Sequence, residues 1–178
     1  VYNREELKQS QCSGTFDITK RGTPLICLAT KGHADKQLAQ LLLHEYAHFL
    51  QWKDGFLHKL EGKDFKEGWN ILDLWLSHNK KFTDIQLKNA RDAVILIEYD
   101  ADIRVLALSK ELNIDIGNHN DHMADAYSYI TLIKWAIKNK RWGQHPGGDY
   151  FDGRIRSPKE ILSEITQKEE KILDLQEN

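Results

Sequence analysis

The stretch from Val94 to Leu108 constrains this chain more than any other. Val94, Ile95, Leu96, Ile97, Ile103, Val105, Leu106 and Leu108 make it strongly apolar, yet Glu98 and Asp102 stand in its middle. Neither proline nor glycine interrupts the helical pattern from Thr83 to about Leu112, and Thr83 with Gln86 forms a capping-box pair at its start. The spacing predicts a helix of roughly 28 residues, about 42 Å long at 1.5 Å per residue. That length makes it the central spine of the fold. Residues four apart share a helix face, so Glu98 and Asp102 point the same way. Ionised carboxylates in apolar surroundings are costly unless they are paired or hold a metal. The plainer alternative is two solvent-facing acids on an ordinary helix, and the rest of the chain decides between them.

The deciding stretch is His44-Glu45-Tyr46-Ala47-His48, preceded by Leu41-Leu42-Leu43. On a helix, His44 and His48 aim both imidazoles at one point. Glu45, on the same turn, reaches a water held there without ligating the metal itself, which is where a general base belongs. Zinc accepts neutral imidazole nitrogens at about 2.0–2.1 Å and, in a catalytic site, takes three protein ligands and leaves one position open. To resemble the metzincin pattern, with its third ligand on the same stretch, the chain would need glycine at 51 and histidine at 54. The chain has Gln51 and Asp54. Asp54 stays an alternative ligand, although Gln51 does not make cheaply the turn that glycine makes. Glu98 fits better. It would ligate directly, while Asp102 would accept the outer N–H of a ligand histidine, His44 first, and fix its tautomer. Ala47 and Ala101 are small where two helices must come close. Two imidazoles and a carboxylate suit one zinc ion.

On these residues the chain resembles the gluzincin metallopeptidases. His44-Glu45-Tyr46-Ala47-His48 matches their HExxH, and Glu98-Tyr99-Asp100-Ala101-Asp102 matches their ExxxD helix. The second motif is also similar to that of the ImmA/IrrE-like and M48-like groups. The resemblance covers about Thr15 to Leu108. It departs from the shortest gluzincins in the long Gln51–Arg91 insert, and from M48-like enzymes in lacking membrane spans. It implies a zincin-like domain with a zinc-dependent peptidase activity on protein or peptide substrates, Glu45 acting as general base on a zinc-bound water. It also implies that Leu25 to Ala29 is the edge strand that pairs with substrate backbone. Such enzymes add a donor for the tetrahedral oxyanion. His145, before Pro146, and Tyr127 lead the candidates, with His119, His122 and Tyr129 behind them. A catalytically silent metal-binding domain derived from a peptidase is the alternative function.

The remaining sequence predicts an α+β, mostly helical fold in a single domain spanning 1–178. Thr15 to Thr30 alternates and turns at Lys20-Arg21-Gly22, as a β-hairpin packed on the active-site helix would. Helices are expected over about 35–53, 64–77, 83–112 and 120–140, and a fifth opens at Ser157-Pro158. Trp142 to Arg156 reads as an ordered loop, the polar first 14 residues as mobile or loosely docked, and 169–178 as a fraying tail. Trp69, Trp75 and Trp135 are expected in the core, with Trp52 and Trp142 as candidates to line a substrate groove. His33, His58 and His78 read as surface residues.

Hydrophobic residues at 40% and charged residues at 29% describe a globular chain rather than a disordered one. The 25 basic and 27 acidic residues leave a net charge of −2 and no basic stripe, which argues against nucleic acid as partner. No apolar run approaches the roughly 20 residues of a membrane span, so no membrane partner is expected. Cys12 and Cys27 read as reduced thiols of a cytoplasmic protein, with a disulfide between them as the alternative if the chain is exported. The chain opens on Val1 and its one methionine is Met123, which reads as a processed or trimmed start, compatible with a removed export signal. Nothing in the sequence specifies an oligomeric state.

Overall fold

A computed structural model describes residues 14–56, 65–78 and 80–141, together with Glu160 and Ser163. The N-terminal segment, Cys12, His58, Trp142, the 142–156 loop with His145, and the C-terminal tail lie outside the described residues. So does the body of the fifth helix, of which Glu160 and Ser163 are helical. Among the described residues the chain is mostly helical with one small antiparallel sheet, an α+β composition. It divides into two compact units, Val1–Lys59 with Ala101–His122, and Leu60–Asp100 with Met123–Asn178.

The first unit opens with strands β1 (Gly14–Ile18) and β2 (Pro24–Leu28), paired with Gly14 opposite Leu28 and Ile18 opposite Pro24. The turn between them needs Gly22, whose φ of 77° is left-handed. Thr19 closes it by accepting from the Gly22 and Thr23 amides, the latter through its hydroxyl. Pro24 begins β2, where a missing N–H costs little. Helix α1 (Asp35–Lys53) follows, opened by Gln37, whose Oε1 accepts from the Ala34 amide at 3.0 Å. The helix stops at Asp54 and Gly55, and Gly55 takes a left-handed φ of 64°.

The hairpin packs on α1 through apolar and aromatic side chains. Phe16 meets Phe49 edge-on at 6.2 Å and lies 6.5 Å from Trp52. At Gly14 the approach is closer still. A Cβ there would stand 2.8 Å from both Glu45 Oε1 and Leu41 Cδ1, so only glycine lets β1 pass over this turn without displacing them.

Helix α2 (Phe65–His78) belongs to the second unit and buries Gly68, Leu72 and Leu76, a stripe four residues apart. Gly68 sits on helix α3 (Asp84–Glu111), where an added Cβ would be 3.2 Å from the Ala90 carbonyl oxygen. Thr83 and Gln86 cap α3 reciprocally: the Thr83 amide donates to Gln86 Oε1 at 3.0 Å, and the Gln86 amide to Thr83 Oγ1 at 3.3 Å. Every residue from Ala90 to Ile97 is buried, including the adjacent ion pair Arg91–Asp92 at 2.8 Å. Helix α4 (His119–Asn139) contributes Met123, Ala126, Tyr127, Ile130, Ile133 and Ala136 to the buried residues. Trp69, Trp75 and Trp135 are half-buried rather than fully enclosed. Among the described residues no helix is long and apolar enough to cross a membrane.

Candidate metal centre

The centre is built from the middle of α1 and one face of α3. Helix α1 carries His44 and His48 one turn apart, with their Nε2 atoms 3.1 Å from each other and their rings edge-on. Each outer nitrogen is engaged. His44 Nδ1 lies 3.1 Å from Asp102 Oδ1, and His48 Nδ1 lies 2.8 Å from Gln51 Oε1. A carboxylate oxygen and an amide oxygen only accept. Both Nδ1 atoms therefore carry the proton, and in the neutral form of each ring the lone pair lies on the Nε2 that faces the other ring. Two such lone pairs at 3.1 Å repel unless a proton or a metal cation lies against them. A cation bonded tetrahedrally to two imidazoles at about 2.0–2.1 Å sets the nitrogens about 3.3 Å apart, close to what α1 provides.

Glu98 supplies the carboxylate. It stands one turn before Asp102 in the uninterrupted α3 helix, half-buried. One ligand atom from each of His44, His48 and Glu98 lies within 4.8 Å of the others, so the group could hold a metal ion. The donor set fits zinc in number and type. Asp54 is placed differently. It accepts from Arg104 Nη1 at 2.8 Å, and the Arg104 guanidinium also lies over the Phe56 ring.

Asp102 has two imidazole neighbours. Its Oδ1 takes His44 on one side and stands 3.3 Å from His122 Nε2 on the other. Burial pushes the Asp102 carboxyl up, but the contacts with His122 and His44, and their charge, outweigh burial and hold it below the usual carboxylate range. The acid is thus kept ionised and able to accept.

Glu45 is buried, its carboxylate lying where β1 crosses α1 at Gly14. Tyr127 is buried too, its ring edge-on to Tyr99 at 5.8 Å. Trp52 is exposed and belongs to the aromatic group with Phe16 and Phe49. Beside His44 an open cleft of about 280 Å³ is lined by His33, Gln37, Gln40, Leu41, His44 and His122. His33, expected as a plain surface residue, thus faces a concavity next to the centre.

Sequence reasoning missed Gln51 as the outer partner of His48, and missed that His122 shares the oxygen of Asp102 with His44. Gln51 was legible in principle: three residues beyond His48, it lies on the same helix face. No family model, curated protein or solved structure matches this chain, so the centre rests on its geometry.

Proposed function

We propose that the chain is a zinc-dependent peptidase of the gluzincin kind, with a zincin-like fold, cleaving peptide bonds in protein or peptide substrates. One observation carries the reading: two imidazoles with their Nε2 atoms 3.1 Å apart, both anchored from outside by acceptors, with a carboxylate in reach and Glu45 next to the first of them. His44, His48 and Glu98 would hold the ion. Zinc in such a site polarises a scissile carbonyl and makes water acidic enough to attack near neutral pH. Glu45 takes the proton from the attacking water and returns it to the leaving amine. Its burial keeps that proton from being lost to bulk solvent. Asp102 and Gln51 hold the two rings in the tautomer whose Nε2 can ligate an ion. His145 or Tyr127 would serve the oxyanion.

The same burial of Glu45 under Gly14 favours a second reading, a metal-binding domain that no longer turns over. Zinc-loaded wild type and Glu45→Gln, each incubated with a varied peptide library and read by mass spectrometry, separate the two. The peptidase reading expects cleavage by wild type and none by the variant, with zinc bound in both. Cleavage by Glu45→Gln would remove Glu45 from the mechanism, and no turnover by wild type would favour the silent domain.

A further inference from the structure

His122 is a buried polar group beside the centre that the proposed chemistry leaves unused. It lies in the first turn of α4, and its side chain is 9% exposed. Its Nε2 is fully enclosed and has no hydrogen bond among the described residues, standing 3.3 Å from Asp102 Oδ1 off the line that such a bond requires. The oxygen it approaches is the one that receives His44 Nδ1 at 3.1 Å. The protonation of this nitrogen follows from its neighbour. A bare lone pair on Nε2 would oppose an ionised carboxylate oxygen in a buried place, acceptor against acceptor, whereas an N–H there meets the acceptor it lacks.

We infer that His122 is a positioning residue for the metal centre: its enclosed Nε2–H, brought into line with the Asp102 oxygen 3.3 Å away, steadies that carboxylate on His44, so that His122 acts on the ion through two intermediates rather than as a ligand. The inference rests on the reading of His44, His48 and Glu98 as metal ligands. A carboxylate gripped from one side only is free to swing about its own bond, and the ring it orients swings with it. With the His122 N–H turned onto the same oxygen it would have one orientation. Partners behind a ligand histidine of this kind typically change metal affinity about 10–100-fold.

Zinc affinity, measured by competition with a chromophoric chelator on the full chain, tests this. His122→Phe keeps the buried ring and removes the N–H; His122→Gln restores a donor of similar reach. The expected result is zinc binding weakened about tenfold or more in His122→Phe and largely recovered in His122→Gln. In an Asp102→Ala background, His122→Phe should cost nothing further. Melting of the metal-free proteins, recorded alongside, identifies any variant whose loss is one of folding. A merely structural role predicts the same loss with and without Asp102, and no rescue by glutamine. Wild-type affinity in His122→Phe, or an equal loss in both backgrounds, would overturn the inference while leaving the metal centre standing. Absence of zinc binding by wild type, or binding undiminished in His48→Ala, would instead remove the centre and this role with it.

Discussion

His44 and His48 are anchored by acceptors of different strength. Asp102 is a carboxylate and Gln51 a neutral amide, and hydrogen bonds to ionised acceptors are roughly twice as strong as neutral ones. His44 is therefore the more firmly oriented of the two rings, and Asp102 the more consequential outer partner. Its ionisation also enters the stability of the fold. The folded carboxyl lies below its usual range, so its contribution is full above the unfolded value near pH 4 and is lost as pH falls through the lower folded value. Denaturant titrations of the metal-free protein between about pH 3 and 6 should show wild type losing stability toward acid more steeply than Asp102→Asn. The ligand assignment makes a sharper demand. Elemental analysis should find metal lost from Glu98→Gln and retained by Asp54→Asn, because Asp54 is committed to Arg104 on a half-exposed surface.

Elements differ in how plainly the chain announces them. Helix α3 was legible nearly to the residue, because its cap is two reciprocal hydrogen bonds between side chains three apart and nothing inside it breaks the pattern. Glu98 and Asp102 were legible for the same reason: four residues on one helix fix a shared face. The hairpin was readable from alternation and from Gly22. What sequence could not convey are contacts set across long stretches of chain. His122 meets Asp102 only because the turn at Gly117 and the start of α4 bring it back, and no local pattern encodes that distance. Gly14 is another case. Its value lies in what passes beneath it, and the colliding atoms are ends of side chains rather than backbone. Gly14→Ala should therefore change unfolding free energy by only about 1 kcal/mol or less while displacing the Glu45 carboxylate. If Glu45 is the base, cleavage falls about tenfold or more, since small misplacements of a reacting group are costly, and zinc affinity holds. Parallel denaturation, zinc titration and peptide cleavage would show whether the three separate in this way.

At the scale of the molecule, an ion held by His44, His48 and Glu98 would tie together stretches of chain about 50 residues apart in sequence. Such an ion adds stability by mass action, about 2.7 kcal/mol at one hundred times the dissociation constant. Thermal melts should rise with added zinc for wild type, return on chelation, and stay flat for His48→Ala. The outward anchoring of both rings has a further effect on which ion is accepted. Because each imidazole is already held by an outer acceptor, an ion captured there would cost the rings little freedom, and they would have equally little with which to accommodate a guest of the wrong size. Hard cations that prefer six or more oxygens, such as magnesium and calcium, would meet two ring nitrogens and one carboxylate there, so a centre of this kind would have its choice among metals largely made when the chain folds.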